Sequence, residues 1–261
     1  MSTTETEKNI AVERILRWKL TEHPLLLAPT EEQRLTMIAN VGVEEVTKLF
    51  VMRERRIKAE LNDPYRYGNE LVTWKDADKL LNENFELLIL GGNRAGKTEF
   101  AAKRMAQAFV GTDLSGDAPD WIKQTFNRRG INIWCLHTTN MTSVSMQQTV
   151  FHKYLPPELR EAKRSKTTQV SWTQKNGFSD NTAVYNGNQI WFLNYAQDIK
   201  VVEGGEVDFV WCDELVPQDW LETLRYRLVT RNGRLLVTFT PVTGYTQTVK
   251  EFISTSKVIE Y

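Results

Sequence analysis

The stretch LLILGGNRAGKTEF, residues 87–100, constrains the fold more than any other part of this chain. An apolar run of strand length breaks into two glycines, and a Gly-Lys-Thr follows at the mouth of an amphipathic segment. That order calls for a buried strand, a turn whose backbone must stay clear of side chains, and a helix that begins at the lysine. The spacing is G-x-x-x-x-G-K-T, with Gly91, Gly96, Lys97 and Thr98 at its fixed positions. In such a turn the backbone N–H groups and the helix N-terminus converge on a β-phosphate. The lysine reaches the β/γ-oxygens and the threonine hydroxyl ligates Mg²⁺. The segment expected to hold a nucleotide is therefore Gly91, Gly92, Asn93, Arg94, Ala95, Gly96, Lys97, Thr98 and Glu99. The plain alternative, a glycine-rich turn with an incidental Lys-Thr, is weakened by the strand before it and the helix after it.

A phosphate loop leaves the chemistry open, and the later half of the chain narrows it. FVWCDE, residues 209–214, is an apolar strand ending in adjacent carboxylates. Asp213 suits a metal held through its water shell, and Glu214, where the backbone turns, suits a general base that polarises an attacking water. Taken alone, these acids could equally be solvated or cap the next helix. The long interval between Lys97 and Asp213 leaves room for intervening strands, which favours the RecA-like, additional-strand class of P-loop NTPase. No N/T-K-x-D guanine signature occurs, which argues against a GTPase. The cofactors expected are ATP and Mg²⁺. LLVTFTP ends a further strand with Thr238, Thr240 and Pro241. Hydroxyls there could sense the γ-phosphate and pass its loss to a moving element; β-branched filler before a proline turn is the alternative.

The rest of the chain reads as α/β. Residues 1–60 carry helical spacing, with Thr30 and the Glu31-Glu32-Gln33 that follow marking a helix start. The polar NDPYRYGNE reads as a loop, and residues 61–261 as the P-loop domain. From Phe85 strands and helices alternate: FELLILG, EFAAKRMAQAFV, INIWCLHT, SVSMQQTVFHKYL, then EVDFVWCDE, DWLETLRYRLV, GRLLVTFTP, TVKEFI and KVIEY. This predicts a mainly parallel sheet flanked by helices on both faces. Asn186-Gly187 between two β-prone runs predicts an inserted type I′ hairpin. Lys+Arg and Asp+Glu both number 33, so any polyanion site must be local. Cys135 and Cys212 fall inside apolar runs and read as buried thiols of a reducing compartment. No run approaches the roughly 18 apolar residues that span a bilayer, so no membrane role is expected.

GGNRAGKT, FVWCDE, a helix carrying LRYRL, and LLVTFTPVTG, in this order, resemble the ATPase domain of the large terminase subunit of tailed bacteriophages. The likeness runs from about residue 60 to 250, and the Asn-Arg inside the phosphate loop is its most specific part. DPYRYG and the CLHTTN strand exit also stand where that family has similar text. The resemblance implies a motor in the host cytoplasm that drives double-stranded viral DNA into a procapsid. It would do so as a homo-oligomeric ring with a portal protein and a small terminase subunit. It implies further that Arg94 acts on the γ-phosphate beside Lys97 and Glu214, and that Thr238, Thr240 and Pro241 form the coupling motif. Tyr65 and Tyr67 would contact the base; an aromatic loop packed on the core is the other reading of that segment.

Two departures matter. Many relatives carry an arginine before the glycine that precedes the acid strand, reaching into a neighbouring subunit; in this chain Glu203 precedes Gly204. Arg225, Arg227 and Arg231 are the remaining candidates for that role, each otherwise a solvated helix charge. Relatives also continue into an RNase H-like nuclease domain, so an isolated motor domain without nuclease activity is expected. His137 and His152 have no partner at ligand spacing and imply no zinc site. Trp172 and Trp191 read as sheet packing more than as a stacking platform. The rival functions are a helicase-like ATPase of the same fold, and a structural subunit that binds nucleotide without turnover.

Overall fold

The computed structural model describes residues 5–23, 26–128, 130–214, 216–241, 247–255 and 257–260. The helical lead-in consists of α1 (Glu5–Leu16), α2 (Glu31–Val41) and α3 (Val43–Asn62). Thr30 and Gln33 close a reciprocal capping box at the start of α2. Ile15, Leu20, Val46 and Phe50 give these helices a small core of their own. The turn α4 (Pro64–Tyr67) and helix α5 (Val72–Glu83) lead into the first strand, β1 (Glu86–Leu90), and then α6 (Lys97–Val110). After α7 (Asp120–Lys123) and β2 (Asn132–His137) come α8 (Asn140–Thr142), α9 (Thr149–Lys153) and α10 (Pro157–Arg160). Five strands follow: β3 (Thr168–Gln169), β4 (Trp172–Thr173), β5 (Gly177–Phe178), β6 (Thr182–Tyr185) and β7 (Asn188–Asn194). The chain continues through β8 (Phe209–Asp213), α11 (Gln218–Val229), β9 (Arg234–Phe239), α12 (Gln247–Thr255) and β10 (Lys257–Glu260).

Eight strands form one sheet in the order β10-β1-β9-β8-β2-β7-β6-β3, parallel from β10 to β7 and antiparallel beyond. β9 lies between the phosphate-loop strand β1 and the acid strand β8, which is the added strand expected of a RecA-like sheet. Because crossovers cover both faces, the middles of the parallel strands are continuous apolar runs rather than alternating ones. One face packs Leu87, Ile89, Cys135 and Trp211 against α5 and α6. The other packs Leu88, Val210, Cys212 and Val237 against α11 and α12. Cys135 and Cys212 are both buried and unbridged. The β6–β7 hairpin turns at Asn186 and Gly187, with φ of 48° and 87°, as a type I′ turn requires. Among the described residues no helix is long and apolar enough to cross a membrane.

Three local expectations change. The supposed loop at NDPYRYGNE contains the turn α4, because Asp63 accepts the Arg66 N–H as an N-cap and Pro64 suits the first helical position. Residues 72–83, given no element in the sequence reading, form a helix that buries Trp74, Ala77 and Leu81 at three-four spacing. The segment SVSMQQTVFHKYL is not one α-helix: residues Ser143–Gln148 form a π-turn ahead of α9. Residues 242–244 of the coupling stretch and Tyr261 of the last strand lie outside the described residues.

The phosphate-loop helix is anchored by buried charge. Arg104, wholly buried on α6, donates to Asp78 of α5 at 2.5–3.1 Å and to Glu70 at 2.7 and 3.1 Å. Its neighbour Lys103 pairs with Glu70 at 3.1 Å and Asp117 at 2.8 Å. Truncating one partner of such a cluster strands the others in a low dielectric. Arg104→Ala is expected to cost about 3–5 kcal/mol, read as a lower urea midpoint at unchanged m-value.

Candidate active site

The C-terminal ends of β1, β8, β9 and β2 bring the expected residues together at one edge of the sheet. Past Leu90 the chain turns through the glycine-rich loop, and Gly96 enters α6 in the left-handed region at φ 80°. That conformation favours glycine; a Cβ there would also come within 2.9 Å of Leu71 Cδ1, which would have to shift, and 3.4 Å of Trp74 Nε1. Lys97 is buried, and its Nζ donates to the carbonyls of Gly91 and Gly92 at 2.8 and 2.9 Å. Burial lowers its pKa, while the carboxylates of Glu214 and Asp213 act in the opposite sense. Gly92, Asn93 and Arg94 are exposed, with Ala95 half-buried beside them.

Thr98 Oγ1 lies 3.4 and 3.5 Å from the two carboxylate oxygens of Asp213, 115 residues away in the chain. Asp213 is buried, and Thr238 Oγ1 donates to its Oδ1 at 2.6 Å. Trp211 Nε1 donates in turn to Thr238 Oγ1 at 3.0 Å, so indole, hydroxyl and carboxylate form a directed chain. Burial pushes the Asp213 carboxyl up to about 6, the Thr238 hydrogen bond opposing and the Glu214 charge reinforcing the rise. Glu214 is half-buried; its N–H donates to the Thr238 carbonyl at 2.7 Å, and Thr240 approaches its carboxylate at 3.4 and 3.5 Å.

Backbone strain is concentrated here. Six non-glycine residues among those described have positive φ, and Asp180, Asn181, Asn186 and Asn232 are of types that tolerate it. The other two are Arg94 at 66° and Glu214 at 68°. Such conformations persist where surrounding structure enforces them, and they cluster at working sites.

Other expected residues stand elsewhere. Tyr65 is wholly buried, its hydroxyl donating to the Thr112 carbonyl at 3.2 Å, and offers no face to a base in this structure. The Asp63 cap turns it into the core; Tyr67 remains exposed. Thr238 is buried against Asp213, so it orients that carboxylate and has no hydroxyl left for a phosphate. Thr240 and Pro241 at the strand exit are half-buried. Glu99 is engaged by Lys153 of α9 at 2.8 and 2.9 Å. Arg225 is held by Glu86 and Glu251, and Arg231 by Asp208, both near the N-terminal ends of the strands and opposite the phosphate loop. Arg227 forms no ion pair among the described residues. Trp172 stacks on His152 with ring centroids 4.1 Å apart, whereas Trp191 on β7 keeps 40% of its surface exposed.

The residues that motif reading missed are Leu71 and Trp74 beneath Gly96, Trp211 behind Thr238, and His137 at the end of β2. His137 is buried, with Nε2 3.9 Å from Asp213 Oδ2. The signals available for it were a histidine closing an apolar strand and its place in the CLHTTN strand exit.

Residues 88–258 match the family model described as terminase large subunit, T4likevirus-type, N-terminal. Among solved structures, the chain is similar to the large terminase from a thermophilic bacteriophage, at 13% identity and TM-score 0.47, over 69% of this chain and 41% of that one. It is similar to a mutant of the large terminase ATPase domain of Thermus phage P74-26, at 16% identity and TM-score 0.49, over 72% and 71% of the two chains. The third is a phage large terminase solved in complex with ADP, at 12% identity and TM-score 0.45, over 72% and 43%. The chain thus spans less than half the length of the first and third structures. A comparison with curated protein sequences finds no match. With more than half of its residues matched by that family's model, the chain belongs to the terminase large subunits of the T4-like type, through their N-terminal region.

Proposed function

We propose that this chain is the ATP-hydrolysing motor region of a DNA-packaging enzyme. The observation that carries the reading is the approach of Thr98 to Asp213 with Glu214 next to it, all at the mouth of a glycine-rich loop. Gly91 to Thr98 cradle the phosphates, and Lys97 leaves the Gly91 and Gly92 carbonyls for the β/γ-oxygens. A hydroxyl and a carboxylate at one place are the hard oxygen donors that Mg²⁺ prefers, so Thr98 and Asp213 fit that ion. Mg²⁺ when bound neutralises charge on the phosphoryl oxygens. Arg94, exposed on the loop, adds a guanidinium for the developing phosphoryl charge, and Glu214 orients and deprotonates the attacking water.

The chain Trp211–Thr238–Asp213 and the contacts of Thr240 with Glu214 tie the strand exit at Pro241 to the catalytic carboxylates. Phosphate release at those carboxylates is therefore felt by β9, the route we assign to coupling. The load is double-stranded DNA, gripped by its backbone because packaging must ignore sequence. Assembly into a ring on a portal, with a small subunit, in the host cytoplasm completes the reading. Residues 1–60 form a helical appendage and 61–261 the motor domain; nuclease chemistry is not assigned to either.

The test is the rate of ATP hydrolysis per chain over a wide range of protein concentration, with Mg²⁺ and with chelator. Hydrolysis abolished by chelator is expected. A specific rate that climbs with concentration would assign a group from a neighbouring copy, with Arg227 as the first candidate to mutate. Absence of Mg²⁺-dependent turnover at every concentration would overturn the reading.

A further inference from the structure

His137 is the buried polar side chain of this site that the proposed hydrolysis leaves unused. It ends β2, the strand beside β8, one position past the paired Leu136 and Cys212, and so stands level with Asp213. Its Nδ1 accepts the backbone N–H of Thr138 at 2.8 Å, and Thr142 Oγ1 lies 2.8 Å from the same nitrogen. A backbone N–H can only donate, so Nδ1 carries no proton and the neutral ring bears its proton on Nε2. Burial lowers the pKa of the ring and keeps it neutral.

That Nε2–H is buried and has no hydrogen-bond partner among the described residues. Orphaned buried donors are rare and costly. The group facing it is Asp213 Oδ2, at 3.9 Å. Asp213 has already committed Oδ1 to Thr238, while Oδ2 has only the long approach of Thr98 at 3.5 Å. Thr98 is also the hydroxyl that must turn to the cation when nucleotide binds. On leaving, it frees acceptor capacity on the carboxylate at the moment when that carboxylate must be held still.

We propose that His137 is a positioning residue of the metal centre: its Nε2–H, presented by Thr138 and Thr142, hydrogen-bonds Asp213 Oδ2 once nucleotide and Mg²⁺ occupy the site. The bond requires an approach of about 1 Å to reach ordinary donor–acceptor distance. A carboxylate has four acceptor positions, so contacts from Thr238 and His137 leave room for the cation and its waters. The proposal rests on the assignment of this site to a nucleotide and Mg²⁺. It adds a residue from β2, which carries neither the phosphate loop nor the adjacent carboxylates.

The experiment is a titration of fluorescently labelled ADP binding against Mg²⁺, beside the same binding in chelator. Removing an outer-contact partner of a metal ligand typically costs 10–100-fold in metal affinity. His137→Phe is therefore expected to raise the Mg²⁺ needed for half-maximal binding about 10-fold while leaving chelator-insensitive ADP binding unchanged. His137→Gln, whose amide restores an N–H donor, should return it to within about 3-fold. Equal loss with and without Mg²⁺, or an unchanged Mg²⁺ requirement in His137→Phe, would overturn the proposal. In the wild type, nitrogen-15 spectra of the three histidines should give a Nε2–H tautomer for His137 whose proton moves downfield with Mg²⁺ and ADP together. A Nδ1–H tautomer, or a resonance indifferent to Mg²⁺, would also overturn it, whether or not a variant folds. A wild-type chain that binds no ADP at all would instead remove the functional reading on which the proposal stands.

Discussion

Glu214→Gln should bind ATP as tightly as the wild-type chain and hydrolyse it on the order of 10³-fold more slowly, the range expected for loss of a general base. The substitution keeps the length of the side chain and both carboxylate-side contacts with Thr240 within reach, so the site is not emptied. The backbone is the more telling part. Glu214 is held at φ 68° by a hydrogen bond from its N–H to the Thr238 carbonyl and by Asp213 in register with Thr238. An isosteric amide retains that conformation and loses only basicity. Equilibrium binding of labelled ATP and steady-state phosphate release, measured on the same preparation, separate the two effects. Parallel loss of binding and turnover would mean that residue 214 supports the loop instead of the chemistry. Full activity would remove it from the mechanism.

The architecture was largely legible because it is written in local patterns. Parallel strands covered on both faces read as near-continuous apolar runs, and LLIL, IWCL, FVWC and LLV are such runs. Asn186-Gly187 specified its turn because few dipeptides adopt two positive φ values without strain. The loop from Gly91 to Thr98 was readable for the same reason: a backbone that must approach an anion admits few residues. What local pattern does not carry is strand order and register. Thr238 looked like a phosphate sensor because it ends a strand, but β9 lies between β1 and β8, which turns its hydroxyl onto Asp213 and buries it. His137 carried no metal-ligand spacing, and its relevance arises only from the adjacency of β2 and β8. Tyr65 sat in a polar context that reads as loop, whereas a single cap at Asp63 turns it into the core. Arg225 and Arg231 looked solvated because their carboxylate partners come from distant segments.

Asp213→Asn should abolish Mg²⁺-dependent hydrolysis and at the same time raise the melting temperature of the nucleotide-free chain. The two effects share one cause. Asp213 is buried, and its carboxyl is held up to about 6, above the usual carboxylate value near 3.9. A folded-state pKa raised above the unfolded one means that the native protein keeps the proton to higher pH. Its contribution to stability is therefore fully present below about pH 4 and is lost as pH rises through about 6. At neutral pH the buried charge then costs on the order of 2 kcal/mol, a penalty absent from asparagine, whose side-chain oxygen still accepts from Thr238. For a chain of this size that is a gain of roughly 5 °C at pH 7, shrinking towards zero near pH 4. Calorimetric scans of both proteins from pH 4 to 8 measure it; a pH-independent difference, or a less stable variant at pH 7, would contradict burial of the charge as the origin of the shift. The same linkage sets the direction for function. Protons compete with the cation for Asp213, so Mg²⁺-supported nucleotide binding should weaken as pH falls through about 6 in the wild type. On the proposed reading, a cation bound at Asp213 would offset the cost of that buried charge, so its binding should strengthen as pH rises through about 6.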